Sequence, residues 1–140
     1  MPDLVVEFAA AADIEQLKAL DSHIDPAWVE RCVAAGEYVV AREAGDIVGF
    51  LRFTWFWRTM PYMELIMVRA DRRQSGIGSR MLAVWEAAMR AQGAELLITS
   101  SMSDEPHPQA WHRRNGFAES GELTFGHLQP TPEVFFVKPL

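Results

Sequence analysis

Residues 68–82 read Val68-Arg69-Ala70-Asp71-Arg72-Arg73-Gln74-Ser75-Gly76-Ile77-Gly78-Ser79-Arg80-Met81-Leu82. An apolar run precedes this stretch, and apolar residues at helical spacing follow from Ile77 onward. The pattern predicts a strand, a basic glycine loop and a helix in succession. Gly76 and Gly78 lack a Cβ atom, so their backbone can approach a ligand closely. The helix N-terminus presents unpaired amides and the positive end of a dipole, which together favour a bound anion.

Three arginines, Arg72, Arg73 and Arg80, add positive charge to this helix N-terminus, where the dipole alone would favour acidic residues. A bound phosphate or pyrophosphate would account for the conflict. The chain has no Gly-Lys pair, so it lacks a Walker loop, and it lacks the third glycine of a dinucleotide-binding fingerprint. The alternative interpretation is an ordinary strand-to-helix turn with solvated arginines.

The bulk composition indicates one globular domain over 1–140, because 49% of the 140 residues are hydrophobic and 23% are charged. The net charge of -6 disfavours nucleic acid and anionic membranes as partners. Cys32 is the only cysteine, which excludes an internal disulfide and a cysteine metal cluster. The sequence has neither an apolar run of membrane-spanning length nor the regions of a signal peptide, so we expect a cytoplasmic protein without a membrane partner.

The rest of the chain predicts alternating strands and helices in the order β-α-α-β-β-β-α-β-α-β-β. Asp13 and Gln16 have the spacing of a capping box at the start of the first helix. This order favours an α+β protein with a mixed sheet and helices on both sides. The predicted strands cover 4–8, 37–43, 47–57, 62–68, 95–101, 117–128 and 134–138, and the last predicted helix covers 109–115.

The strand over 47–57 is unusually aromatic, with Phe50, Phe53, Trp55, Phe56 and Trp57. Alternation places Phe53, Trp55 and Trp57 on one face and Phe56 on the other. Such a density of rings favours a buried core. The alternative is an acceptor pocket lined by rings near 57–61.

The segment Arg73-x-x-Gly76-x-Gly78 resembles the pyrophosphate loop of the GNAT superfamily of acyl-CoA-dependent N-acyltransferases. The element order resembles the complete fold of that family and covers nearly the whole chain. Residues 110–117 lie where the family has a Phe-Tyr pair and a Gly-Phe ending, and the last strand is also similar. The resemblance implies a three-layer α/β/α fold whose mixed, mostly antiparallel sheet splays at an acyl-CoA cleft.

The resemblance also implies a co-substrate, acetyl-CoA, and a set of residues that bind it. The arm of the co-substrate would lie between strands 62–68 and 95–101, and the amide of Val68 or a close neighbour would face the acyl oxygen. An amide aimed at a developing oxyanion contributes on the order of 3 kcal/mol. The pyrophosphate would be held by Arg73, Gln74, Ser75, Gly76, Ile77, Gly78 and Ser79.

Glu64 is the candidate general base that deprotonates the attacking amine, since some GNAT members carry a glutamate here. Alternation places Glu64, Ile66 and Val68 on one face of the strand. A carboxylate inside an apolar strand is costly unless it is paired or its pKa is raised, and a raised pKa suits a base. The alternative is a structural Glu64 that is paired with an arginine such as Arg52.

His112 occupies the place where the family has a tyrosine that protonates the leaving thiolate. Histidine can donate a proton near neutral pH, so His112 is the candidate acid. The alternative is a helix residue that contacts the co-substrate or solvent. His107 and His112 lie five residues apart and have no clustered ligands near them, so we expect no metal site.

The leading hypothesis is therefore an N-acetyltransferase that acts on a primary amine, either a small molecule or a lysine or N-terminal amine. A non-catalytic acyl-CoA-binding or regulatory module on the same fold is the alternative, and a purely structural dimer is a third possibility. Exposed terminal strands make a homodimer plausible. The acceptor regions offer aromatic and histidine side chains at Trp28, Trp57, Tyr62, Phe125 and His127.

Overall fold

A computed structural model describes residues 3–140 of the chain and contains four α-helices and seven strands. The helices are α1 (Ile14–Leu20), α2 (Pro26–Ala34), α3 (Ile77–Ala91) and α4 (Pro106–Arg114). The strands are β1 (Leu4–Phe8), β2 (Tyr38–Glu43), β3 (Asp46–Phe56), β4 (Met60–Val68), β5 (Leu96–Met102), β6 (Ala118–Leu123) and β7 (Glu133–Pro139).

The seven strands form one mixed sheet in the order β1-β2-β3-β4-β5-β7-β6. β1 pairs with β2, β2 with β3, β5 with β7 and β6 with β7, all antiparallel. β4 and β5 run parallel, with Tyr62 opposite Ile98 and Met63 opposite Thr99. The predicted α+β class, element order and mostly antiparallel sheet are confirmed.

The backbone contacts divide the chain into two compact units, which we call the first unit (residues up to Phe53, with Leu65–Ala88) and the second unit (Thr54–Glu64 with Met89–Leu140). In the first unit, α1 and α2 pack their apolar sides onto β2 and β3. Asp25 begins α2 by accepting a hydrogen bond from the Ala27 amide at 3.1 Å, and Pro26 takes the tolerated first position. The core residues are Leu17, Val29, Cys32, Val33, Tyr38, Val40, Ile47 and Phe50.

The second unit has a sheet with two different faces. Residues whose side chains alternate toward one face are buried, and those on the other face are partly exposed. The buried face carries Met63, Leu97, Thr99, Ser101, Val134 and Phe136. The half-exposed face carries Tyr62, Glu64, Ile98, Ser100, Met102, Glu133 and Phe135.

Several element boundaries differ from the predictions, two of them by three residues or more. α4 begins at Pro106, three residues before the predicted start at Gln109, because proline is tolerated in the first turn and the Gln109 amide bonds back to the Glu105 oxygen at 3.4 Å. β6 ends at Leu123, because the following residues turn into a short 3-10 helix at Gly126–Leu128. Within residues 3–140, none of the helices is long and apolar enough to cross a bilayer.

Candidate active site

The loop between β4 and α3 belongs to the first unit and has a left-handed backbone at Gly76, whereas Gly78 lies inside α3. A 3-10 turn at Ala70–Arg72 leads into Gln74 and Gly76, whose φ angles are 63° and 83°. The Arg80 amide then donates to the Gly76 oxygen at 3.1 Å, which closes the first turn of α3. The left-handed backbone at Gly76 explains the glycine, because other residues pay a steric cost there.

The start of α3 is anchored by close packing in the first unit. Ile77 is buried, whereas Gln74, Ser75 and Gly76 before it are exposed. A Cβ atom on Gly49 would lie 3.0 Å from the Met67 oxygen and 3.1 Å from the Met81 Cε atom. Gly49 therefore lets β3, β4 and α3 approach closely, a role that the sequence analysis did not find because the neighbouring residues are distant in sequence.

Two of the arginines around this loop already have carboxylate partners. Arg72 donates two hydrogen bonds to Glu43, one of them at 2.7 Å, and Arg69 binds Asp71 at 2.6 Å. The hydrogen bonds from Arg72 lower the pKa of Glu43 below its usual value. Glu43 on β2 therefore compensates the charge of Arg72, so this arginine does not by itself call for a bound phosphate; the phosphate predicted from the three arginines together stays a prediction.

Arg73 connects the loop to the end of β4. Its Nε atom donates to the main-chain oxygen of Val68 at 3.0 Å, and the Ser75 hydroxyl donates to the Arg72 oxygen. The structure thus joins two predicted site residues, Arg73 and Val68, within the first unit. Their roles toward acetyl-CoA stay predictions.

Glu64 lies on the half-exposed face of the second unit, two residues after Tyr62 on the same side of β4. Its side chain is exposed, so the expected desolvation of a carboxylate inside an apolar strand is wrong. An exposed carboxylate can exchange protons with water directly. The role of Glu64 as the general base stays a prediction.

His112 of α4 packs against the buried face of the second unit. Its imidazole is 5% exposed and contacts the rings of Phe117 and Phe136, with centroids 6.1 and 5.2 Å away. Burial lowers the pKa of His112 to about 4, although the Ser100 backbone and the Glu133 charge partly oppose this effect. Nδ1 is buried and has no hydrogen-bond partner within residues 3–140. The structure places His112 and Glu64 on opposite faces of this sheet and favours the neutral imidazole.

The aromatic strand β3 contributes Phe53 to the core, but the rings at and after its C-terminal end do not join the core. Phe53 is buried against Trp85, with ring centroids 5.5 Å apart. Phe56 and Trp57 stack on each other at 4.9 Å, and Trp57 is 76% exposed. The prediction that Trp57 shares a strand face with Phe53 is wrong, because β3 ends at Phe56 and Trp57 turns with a φ of 53°.

A hydrogen-bonded group on the half-exposed face was missed by the sequence analysis. The Tyr62 and Ser100 hydroxyls lie 2.6 Å apart, and the Ser100 hydroxyl lies 2.6 Å from Glu133 Oε2. The only sequence signal was the alternation of each strand, which places these residues on a face but does not pair the strands. The strand register brings them together.

Comparison with a family model decides the family. The model described as an acetyltransferase (GNAT) domain matches residues 34–119, which is more than half of the chain and includes the loop, β4 and all of α4. The chain belongs to the GNAT acetyltransferase superfamily. The predicted resemblance is confirmed. No curated protein sequence matches this GNAT chain.

Solved structures share the GNAT fold at low sequence identity. Ard1 from Thermoplasma volcanium is 17% identical with a TM-score of 0.84, and the match covers 98% of this chain and 97% of that one. A ribosomal-protein-alanine N-acetyltransferase from Brucella melitensis is 23% identical with a TM-score of 0.80, covering 97% and 99%. An acetyltransferase from Salmonella typhimurium, solved with its cofactor acetyl-CoA, is 18% identical with a TM-score of 0.78, covering 98% and 94%.

Proposed function

We propose that this GNAT chain transfers an acetyl group from acetyl-CoA to a primary amine. The acceptor is a small molecule, or the lysine or N-terminal amine of a peptide, and it attacks the thioester directly in a ternary complex. The observation that carries the proposal is the exposed loop with left-handed Gly76 that opens α3, a helix of 15 residues.

The loop fits the pyrophosphate of acetyl-CoA by its chemistry. Helix N-terminal amides and the dipole attract an anion, and the space beside Gly76 is open, with no atom within 4 Å of a Cβ placed there. The Salmonella typhimurium acetyltransferase was solved with acetyl-CoA, which supports the same donor here. In this proposal the pyrophosphate is held by Arg73, Gln74, Ser75, Gly76, Ile77, Gly78 and Ser79.

Two groups on β4 are assigned to the attack. A lysine-like amine costs about 4.6 kcal/mol to deprotonate at pH 7, so a base accelerates the reaction. Glu64 accepts that proton, directly or through water. The amide of Val68 donates to the acyl oxygen as negative charge develops there, for a gain of about 3 kcal/mol.

His112 is the candidate donor of the proton to the leaving thiolate. With a pKa of about 4, its imidazolium form is populated in about one molecule in a thousand at pH 7. A thiolate with a pKa near 8.5 leaves with little help from an acid. We therefore expect the loss of His112 to slow turnover less than the loss of Glu64.

The burial of His112 favours one alternative, a non-catalytic acyl-CoA-binding module on the same fold. A module of this kind would keep the loop at Gly76 and bind acetyl-CoA without consuming it. Binding and turnover therefore separate the two functions, since only the enzyme releases free thiol when an amine is present.

The deciding experiment measures acetyl-CoA binding by calorimetry and thiol release with a panel of amines. The panel contains butylamine, lysine amide, a lysine peptide and a peptide with N-terminal alanine, the last suggested by the name of the Brucella melitensis structure. Amine-dependent thiol release with intact acetyl-CoA binding supports the enzyme. Binding without turnover on any panel member supports the module, and failure to bind acetyl-CoA refutes the role given to the loop.

A homodimer through β6 is part of the same proposal. β6 lies at one end of the strand order, and all six of its residues are exposed. An exposed edge strand presents backbone groups that can pair with a second copy. Sedimentation velocity at several protein concentrations tests this, and a monomer at every concentration would refute it.

A further inference from the structure

A chain of four polar side chains crosses the half-exposed face of the second unit. The Tyr62 hydroxyl lies 2.6 Å from Ser100 Oγ, and Ser100 Oγ lies 2.6 Å from Glu133 Oε2. Gln129 Nε2 donates to Glu133 Oε1 at 3.0 Å and to the Thr131 oxygen at 2.9 Å. The Tyr62 ring also packs on Phe135, with centroids 6.1 Å apart. The phenol is therefore held at both its ring and its hydroxyl.

The chemistry of these groups sets the direction of the hydrogen bonds. A carboxylate only accepts, so the single proton of the Ser100 hydroxyl points to Glu133. Ser100 must then accept from Tyr62, whose hydroxyl donates inward along the chain. A phenol oxygen that donates its proton remains a hydrogen-bond acceptor, and the linked carboxylate makes it a stronger one.

Tyr62 also stands beside the candidate base. Tyr62 and Glu64 lie two residues apart on one side of β4, a spacing of about 6.6 Å along a strand. The two side chains therefore leave the same face of β4 as neighbours.

We propose that Tyr62 binds the attacking amine through an N–H···O hydrogen bond and that Ser100 and Glu133 are positioning residues that orient and polarise the phenol. This inference rests on the proposed acetyltransferase function and deepens it by naming the residue that binds the acceptor amine and the two residues that orient it. The site selects a primary amine that arrives as an ammonium ion. It discriminates against cations that have no N–H group. The Tyr62 oxygen can accept a hydrogen bond only from a donor, and a positive charge alone does not supply one.

The first test uses the fact that the chain has two tyrosines. Labelling with tyrosine enriched in carbon-13 at Cζ gives two resonances, and the Tyr62→Phe variant identifies the one that belongs to Tyr62. Each panel amine is titrated against the acetyl-CoA complex, together with the trimethylammonium derivative of the same compound. We expect the Tyr62 resonance to move with at least one primary amine and at least fivefold less with its trimethyl derivative.

The second test separates positioning from simple structural support. Tyr62→Phe, Ser100→Ala and Glu133→Gln should each raise the amine KM about tenfold and leave the acetyl-CoA KM within twofold. Ser101→Ala is the matched control, because Ser101 is the next residue of β5 and lies on the buried face. This control should leave the amine KM unchanged.

The results distinguish failure of the inference from failure of the function. One outcome overturns only the inference: an amine is acetylated, the Tyr62 resonance does not move, and Tyr62→Phe has the wild-type amine KM. The proposed acetyltransferase function would then still hold. Equal shifts with the trimethyl derivative overturn the N–H assignment. If no panel amine moves the resonance and none is acetylated, both fail.

Discussion

The Nε atom of Arg73 donates a hydrogen bond to the main-chain oxygen of Val68, at a distance of 3.0 Å. This bond joins the end of β4 to the loop that opens α3. A guanidinium has five N–H donors in a planar fork, so Arg73 can hold the strand end with one donor and present others to an anion.

Replacing Arg73 tests this double role. We expect Arg73→Ala to weaken acetyl-CoA binding at least tenfold, because it removes both a charge for the pyrophosphate and a bond that orders the loop. Calorimetric titration with acetyl-CoA measures the effect. Arg90→Ala, an exposed arginine in the last turn of α3, is the control and should bind normally. Equal affinities for the two variants would contradict the assignment.

Two glycines with the same backbone conformation separate strain from binding. Gly76 and Gly45 have φ angles of 83° and 84°, and a Cβ would meet open space at both. Alanine at either position should cost about 1–2 kcal/mol of unfolding free energy, measured by urea denaturation. Only Gly76→Ala should also weaken acetyl-CoA binding, severalfold or more. Comparable weakening by Gly45→Ala would mean that strain alone explains the loss.

Removal of the candidate base should slow chemistry without unfolding the protein. Glu64→Gln is expected to lower kcat by 10² to 10⁴, typical of a lost general base, and to leave acetyl-CoA affinity intact. The residue is exposed, so the melting temperature should change little. Glu122→Gln on exposed β6 is the control for a lost carboxylate. A kcat for Glu64→Gln within twofold of wild type would rule out this base.

The buried imidazole of His112 predicts a pH dependence of stability. Its pKa is about 4 when folded and about 6.5 when unfolded, so between these values only the unfolded chain binds the proton. This contribution to the unfolding free energy is complete above pH 6.5 and falls by up to about 3 kcal/mol as the pH drops to 4. Urea titrations of wild type and His112→Phe from pH 7 to 4.5 measure the difference.

The control for His112→Phe is the replacement of the exposed His127 by glutamine. A constant difference between wild type and His112→Phe at every pH would contradict a depressed pKa.

A buried charge cluster in the first unit should contribute strongly to the free energy of unfolding. Asp21 accepts from Arg52 Nε at 2.8 Å and from the Tyr38 hydroxyl at 2.6 Å, and all three residues are buried. Asp21→Asn removes the charge that faces a buried guanidinium and should cost about 3–5 kcal/mol of unfolding free energy. Tyr38→Phe removes one neutral donor and should cost about 1–2 kcal/mol. Denaturant titrations in which Asp21→Asn and Tyr38→Phe lost equal unfolding free energy would contradict this ranking of the two variants.

The elements of this fold were predictable because their signals are local. The left-handed backbone at Gly76, the cap at Asp25 and the helical spacing of Ile77 and Met81 each act within a few residues. The predicted N-cap position of Asp13 is confirmed, but its capping box does not form, because the Asp13 side chain accepts a hydrogen bond from Arg42 at 3.0 Å, 29 residues away, and makes no cap to α1. A full charge is a stronger partner for a carboxylate than a helix amide.

The sequence by itself determined the order of the elements, the glycine loop and the family that both indicate. Only the tertiary structure decided that Glu43 compensates Arg72, that His112 is buried and neutral, and that Tyr62, Ser100 and Glu133 form one chain. The physical reason is that backbone preferences and periodicity operate over one or two turns. Hydrogen-bond partners and desolvation depend on which distant residues the register of the sheet brings into contact.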